Sequence, residues 1–360
     1  MYWKPTDTSE FLNPNLAVVG TMGTGKTQTV KSIVTQLVRQ RHLNTNDETF
    51  GMLIFDYKSD YCDSEFVNAT GALVLEANNM PINPFALHGD NRLAPVKKAV
   101  EIADTLTAIF NLGVKQKGAL KKLIVAAYER RNIFKNDVES FKNTPPTMAE
   151  VIKAFFSQDK VTEDSLASAL SDLDDFELFE ANPRKCKSLY GLLDNQVVVV
   201  KLSGLSTSIQ TLIVELMLDQ FHLQMHQSPK PEANGSHRAF KKAILVDEAD
   251  NFMSQDFPTL KKIMQEGREF GVGTILSTQG LDHFQTGKEN YAKNITSWIC
   301  HRLNNPSVTD VKPLLNLEEK SDLDNELRRL RELPKHYSLF LDGQKQVHYQ
   351  ESTAFYRLSK

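Results

Sequence analysis

Gly20, Gly23, Gly25, Lys26 and Thr27 satisfy the spacing G-x-x-x-x-G-K-[ST], with the apolar run "LAVVG" before it and a helix-like stretch after it, which is the context the motif requires. Glycines there let successive backbone N–H groups converge on phosphate oxygens, and the start of a helix adds the positive end of its dipole. An ammonium at Lys26 neutralises β and γ phosphates, and a hydroxyl at Thr27 can join the shell of a magnesium ion. The turn as a whole (Gly20, Thr21, Gly23, Thr24, Gly25, Lys26, Thr27, Gln28) is expected to line ATP with Mg2+.

A second group of candidates lies in "AILVDEAD". Asp247 ends an apolar run, where a P-loop fold carries the carboxylate that holds magnesium. Glu248 follows directly. It either orients and deprotonates an attacking water, which separates a hydrolase from a nucleotide switch, or is a solvated acid at a strand end. Asp250 reads as a helix cap or surface group. Gln279, at the end of "GTILST", has an amide able to touch the γ phosphate or the lytic water, or else it simply opens a turn before Gly280. Arg268, just ahead of that same run, either reaches across a subunit boundary as a transition-state cation or stays on the surface, and Arg302 in "ICHRLNNP" is the second candidate. In "DYKSD", Asp56 and Lys58 either approach the magnesium shell and the phosphates or are polar groups opening a loop.

The elements that must position these residues alternate as in an α/β chain. Buried-strand patterns recur at "LAVVG" (16–20), "GMLIFD" (51–56), "ALVLEA" (72–77), "QVVVVKL" (196–202), "AILVD" (243–247) and "GTILST" (273–278). Runs apolar at successive positions imply strands covered on both faces, hence a mostly parallel sheet with helices on both sides. The expected fold class is therefore an α/β RecA-like P-loop core. Residues 94–190 break the alternation with helical patterns and read as an inserted helical subdomain, in which Thr147 caps "MAEVIKAFF". Residues 1–93 and 191–360 would form the two parts of the core, closed by a final hairpin of "YSLFLDG" and "KQVHYQ".

Composition excludes more than it selects. The 360 residues are 41% hydrophobic and 24% charged with a net charge of −3, so no global basic surface announces a nucleic acid. Three single cysteines, Cys62, Cys186 and Cys300, give neither a disulfide framework nor a paired metal motif, which fits a reducing cytoplasm. No apolar run reaches the ~18 residues needed to span a bilayer, and no membrane insertion is expected. "KLSGLSTS" is superficially similar to a transporter signature, yet it lacks that signature's second glycine and its glutamine. The chain after Gln279 is too short for the second lobe of a helicase, and there is no N-K-x-D guanine reader.

A single lobe leaves its nucleotide face open and needs a neighbour's cation. At this point "GTMGTGKT", "IFDYKSDY", "MPINPF", "VVVVKLSGL", "ILVDEAD" and "EGREFGVGTILSTQG" together resemble the HerA and FtsK superfamily of DNA-pumping ATPases, including its type IV secretion branch. "FDYKSDY" is most similar to the ATPase region of the DptH restriction components of bacterial DNA phosphorothioation systems. The resemblance covers roughly residues 11–345. It implies a homo-oligomeric, hexameric ring acting on double-stranded DNA with other subunits of a defence complex, and the roles above for Lys26, Thr27, Asp247, Glu248 and Gln279. The chain departs from the superfamily in showing no N-terminal barrel and no winged-helix DNA reader, so it reads as a motor excised from a longer protein or one that borrows specificity. Local basic groups for a DNA backbone are Lys115, Lys117, Lys121, Lys122, Arg130 and Arg131, and the pair Lys261 and Lys262, each of which is otherwise a solvated helix face. The competing expectation is a nucleotide-gated assembly or switch subunit, a secretion-type ATPase included, without a DNA track of its own.

Overall fold

A strand buried along its whole length must have both of its faces covered. In the computed structural model that holds for Leu16–Val19 (β1), Gly51–Asp56 (β2), Lys242–Val246 (β7) and Val272–Thr278 (β8), in which every residue is buried. It holds for Val197–Val200 of Val197–Lys201 (β4) as well. The run at 72–77 differs: Leu73–Glu76 (β3) is the last strand of the sheet and leaves Leu73 and Glu76 exposed, because an edge strand has a neighbour on one side only. The structure describes residues 3–249, 257–285, 290–304, 306–315 and 320–358, so Asp250 lies outside the described residues.

Nine strands form one sheet in the order β11-β10-β9-β1-β8-β7-β2-β4-β3, where β9 is Ser297–Cys300, β10 is Tyr337–Leu341 and β11 is Val347–Glu351. From β9 to β4 the pairings are parallel, with Val19 opposite both Thr278 and Cys300, and Asp56 opposite Lys201. The last two strands are the expected hairpin, antiparallel to each other and to β9. A two-stranded ribbon, Ala233–Asn234 (β5) and His237–Arg238 (β6), stands apart. Parallel order has a direct consequence for function. The carboxyl ends of β1, β2, β4, β7, β8 and β9 finish on one edge, where open α/β sheets hold their ligands.

Two compact units divide the chain, residues 1–74, 193–203 and 229–360 in the first and 75–192 and 204–228 in the second. The first contains the core cluster of Val18, Ile54, Leu245, Ile275 and Ile299, into which helix α1 (Lys26–Arg39) sets Val30, Ile33 and Val34. Ser64–Thr70 (α2) belongs to it too, held by the Asp63 carboxylate on the amide of Phe66. The second is helical: Ala94–Phe110 (α3), Val114–Arg130 (α4), Met148–Phe156 (α5), Ser165–Phe176 (α6), Leu189–Leu192 (α7) and Thr207–Gln227 (α8). Thr147 caps α5 as expected, in a reciprocal box with Glu150. This unit also takes in residues 75–93 and α8, on either side of the helical run at 94–190. The remaining helices are Pro258–Glu266 (α9), Val308–Leu315 (α10), Lys320–Glu332 (α11) and Phe355–Leu358 (α12). Among the described residues no helix is long and apolar enough to cross a membrane.

Candidate functional site

The glycine turn grows out of β1 and ends at the first turn of α1. Gly25 sits at φ 108°, a conformation an L side chain rarely adopts, and a Cβ there would come within 2.6 Å of His336 Nδ1. A Cβ on Gly20 would meet the Cβ of His301 at the same distance. The turn is fixed by its own bonds as well as by its neighbours. Thr24 Oγ1 donates to the Thr21 carbonyl at 2.7 Å, and the Thr21 amide and hydroxyl donate to the carbonyl of Arg302 at 2.9 and 3.1 Å. Lys26, nearly buried, folds its ammonium back to 3.5 Å from the Thr21 carbonyl. Among the described residues the Thr27 hydroxyl has no protein hydrogen-bond partner, which suits a cation ligand.

Asp247 and Glu248 leave the end of β7, two strands from β1 in the sheet order. Burial pushes the Asp247 carboxyl above the usual carboxylate range, although it accepts from the Tyr61 hydroxyl at 2.9 Å and from the Glu248 amide at 3.0 Å. A divalent cation beside it would favour its charged form, so the chemistry of the donors fits magnesium. Glu248 holds φ 54°, a left-handed backbone unusual for a glutamate. Its Oε1 forms an ion pair with Lys58 and its Oε2 accepts from Gln279 Nε2 at 3.2 Å. Burial acts to raise its pKa, but the Lys58 and Gln279 hydrogen bonds and the charge of Lys26 outweigh it, and Glu248 is held below the usual range.

Asp56 is a polar group at the start of the loop after β2, although a buried one. Its oxygens accept from the amides of Lys58 at 3.2 Å, Asp60 at 3.1 Å and Tyr61 at 2.8 Å. It therefore shapes the loop after β2. That loop carries Lys58 to Glu248 and Tyr61 to Asp247, so one short segment holds both acids.

The two arginines separate. The carbonyl of Arg302 accepts from Thr21 of the phosphate turn, and the residue is exposed. Arg268 is exposed in the turn Gly267–Phe270 that precedes β8, whereas Gln279 follows the end of that strand. At ~3.3 Å per residue the seven residues of β8 set Arg268 roughly 20 Å from its own site. It stands at the opposite edge of the sheet from the P-loop.

Tyr61, His301 and His336 were not singled out in the sequence as site residues. His301 is fully buried under Gly20, with Nδ1 3.1 Å from the Tyr337 carbonyl and Nε2 without a partner among the described residues. Burial drops its pKa to about 4, so it is a neutral imidazole under the turn.

The parallel sheet, the glycine turn between β1 and α1, and the acids ending β7 make this a RecA-like P-loop ATPase fold. The family described as "Helicase HerA, central domain" matches residues 5–221, and the chain belongs to it. Two relatives, the DNA double-strand break repair helicases HerA of Sulfurisphaera tokodaii and Sulfolobus acidocaldarius, are each 26% identical over 82% of this chain and over 56% and 57% of their own. The chain thus spans little more than half the length of the curated relatives it matches. Among solved structures, VirB4 of Thermoanaerobacter pseudethanolicus superposes with a TM-score of 0.72 at 16% identity, covering 97% of this chain and 91% of its own. The plasmid coupling protein TrwB in complex with ADP and Mg2+ gives 0.54 at 12% identity over 94% and 85%.

Proposed function

We propose that this chain is an ATP-hydrolysing motor of the HerA and FtsK type, working as a ring that translocates or remodels double-stranded DNA. The observation that carries the hydrolytic part is the Glu248 carboxylate, kept ionised beside Asp247 and within hydrogen-bond reach of Gln279. In this reading the turn from Gly20 to Gln28 holds the phosphates and Lys26 neutralises them. Thr27 and Asp247 hold magnesium, which when bound would offset charge developing on the γ phosphoryl group. Glu248 takes the proton of the attacking water and Gln279 orients that water or the Glu248 carboxylate. A neighbouring subunit's Arg268 supplies a further cation for the charge that develops on the γ phosphoryl group. An exposed position on the sheet edge opposite the P-loop supports a role outside its own site.

The names of the relatives, repair helicases and a coupling protein, support DNA as the track. For its contacts, Lys115, Lys121 and Lys122 are exposed, while Lys117 pairs with Asp104 and Arg131 with Glu150. Lys261 is half-buried and Lys262 exposed on α9. Residence in a phosphorothioation-dependent restriction complex of the cytoplasm, with other subunits as partners, is the finer reading carried by "FDYKSDY". A second reading, a nucleotide-gated assembly or secretion-type switch, is favoured by the Lys58–Glu248 ion pair, because a base held by a cation turns over slowly until the pair opens.

One experiment separates the two. ATPase rate is measured with and without long duplex DNA at low salt, alongside particle mass with a non-hydrolysable nucleotide. A motor shows stimulation that falls steeply with added salt, on a particle of several subunits. An assembly that forms with nucleotide but gains no rate from DNA supports the switch.

A further inference from the structure

We propose that Tyr356, backed by His336, is the platform on which the purine base of the nucleotide stacks. The proposal rests on the P-loop reading above and concerns the part of the ligand that the phosphate turn does not touch. The sheet order sets the direction. Asp247, Glu248 and Gln279 follow β7 and β8, on one side of β1, so a triphosphate whose γ end faces them must extend its sugar and base the other way. On that side lie β9, β10 and β11, and at their P-loop end stand His336, immediately before β10, and α12, shortly after β11.

These aromatic groups are fixed to the cradle. His336 donates its amide to the Thr24 carbonyl at 3.0 Å, its carbonyl accepts from the Ser352 amide at 2.7 Å, and it holds φ 69°, a left-handed backbone uncommon outside glycine. Its ring lies over Gly25, with a shielded Nδ1 that has no hydrogen-bond partner among the described residues. The α12 turn is clasped by α1: Tyr356 N donates to Gln28 Oε1 at 3.3 Å and Arg39 Nη2 to the Leu358 carbonyl at 2.9 Å. Phe355 is buried against Phe66, with the Lys31 ammonium 5.7 Å from its ring. Tyr356, the next residue, nevertheless leaves 42% of its surface exposed, and its ring meets that of His336 edge-on at 5.7 Å.

An exposed aromatic face held by an anchored neighbour, next to a phosphate site, suits a flat heteroaromatic ring. Gln28, whose Oε1 accepts from the Tyr356 amide, is a polar side chain beside that platform.

The test is calorimetric binding of Mg2+-ATP and of Mg2+-tripolyphosphate, which has the phosphates but no base, to the full chain and to Tyr356→Phe and Tyr356→Ala. The parent and Tyr356→Phe should bind ATP at least tenfold more tightly than tripolyphosphate, and Tyr356→Ala should lose about tenfold for ATP alone. Equal affinity of the parent for the two ligands, or ATP affinity unchanged in Tyr356→Ala, overturns the platform while leaving the phosphate cradle in place. A loss by Tyr356→Ala that is the same for both ligands assigns Tyr356 a structural role and overturns it too. If neither ligand binds the parent chain, the P-loop reading itself fails and the platform with it.

Discussion

Lys58, on the loop after β2, forms an ion pair with Glu248 across 190 positions of sequence. The cation and the Gln279 amide hold Glu248 below its usual pKa against the pull of burial. Removing the cation leaves burial to act, so the pKa of Glu248 in Lys58→Ala moves upward. A base works only when ionised, and the acid limb of the ATPase pH profile is therefore expected to shift to higher pH in this variant. The comparison is of kcat against pH for the two proteins, and coincident acid limbs would mean that Lys58 does not control the ionisation of Glu248.

Tyr61 makes a different kind of contact, a buried hydrogen bond of 2.9 Å to Asp247. Tyr61→Phe keeps the ring that packs edge-on against Phe66 and deletes only the donor. Leaving a buried carboxylate short of one bond is expected to cost about 2 kcal/mol in urea unfolding. An Asp247 that is less well oriented should also need more magnesium for half-maximal ATPase. Wild-type values on both measurements would remove Tyr61 from the account.

How much of this was legible beforehand depends on the range of the interaction. The glycine turn is local, so its residues and their conformation follow from one short motif. Buried strands were legible at β1, β2, β4, β7 and β8 because apolar residues follow one another in each, and β3 misled because an apolar run does not tell an edge strand from an inner one. What the sequence withheld are contacts made by strand order. Tyr61 and Asp247 lie 186 positions apart and meet only because β2 pairs with β7. His336 reaches Gly25, and His301 reaches Gly20, because the chain returns to the P-loop edge through β9 and β10.

His301 gives a prediction with a fixed sign. It is neutral when folded, with a pKa of about 4, and has its ordinary value near 6.5 when unfolded. The unfolded chain therefore binds the proton first. The contribution is complete above about pH 6.5 and declines as pH falls toward 4, by up to about 3 kcal/mol over that window. His301→Gln should flatten this part of the stability profile relative to the parent. Equal slopes for the two proteins between pH 6.5 and 4 would contradict the assignment.

Arg268 should act between subunits. Arg268→Ala is expected to bind ATP nearly normally and to hydrolyse it roughly a thousandfold more slowly. Mixed with a Glu248→Gln chain, under conditions where subunits exchange, it should recover part of the activity that neither protein has alone. No recovery at any ratio would assign Arg268 to the surface and make Arg302 the next arginine to test.

The most direct test of hydrolysis at this site is the pair Lys26→Ala and Glu248→Gln, each measured for Mg2+-ATP binding and for steady-state turnover. Lys26→Ala should lose binding because the phosphates lose their cation. Glu248→Gln should bind as the parent does and turn over at least a hundredfold more slowly, because the amide cannot accept the proton of water. Turnover unchanged in Glu248→Gln would contradict the role of Glu248 as base, and binding and turnover unchanged in both would remove the catalytic site from this edge of the sheet.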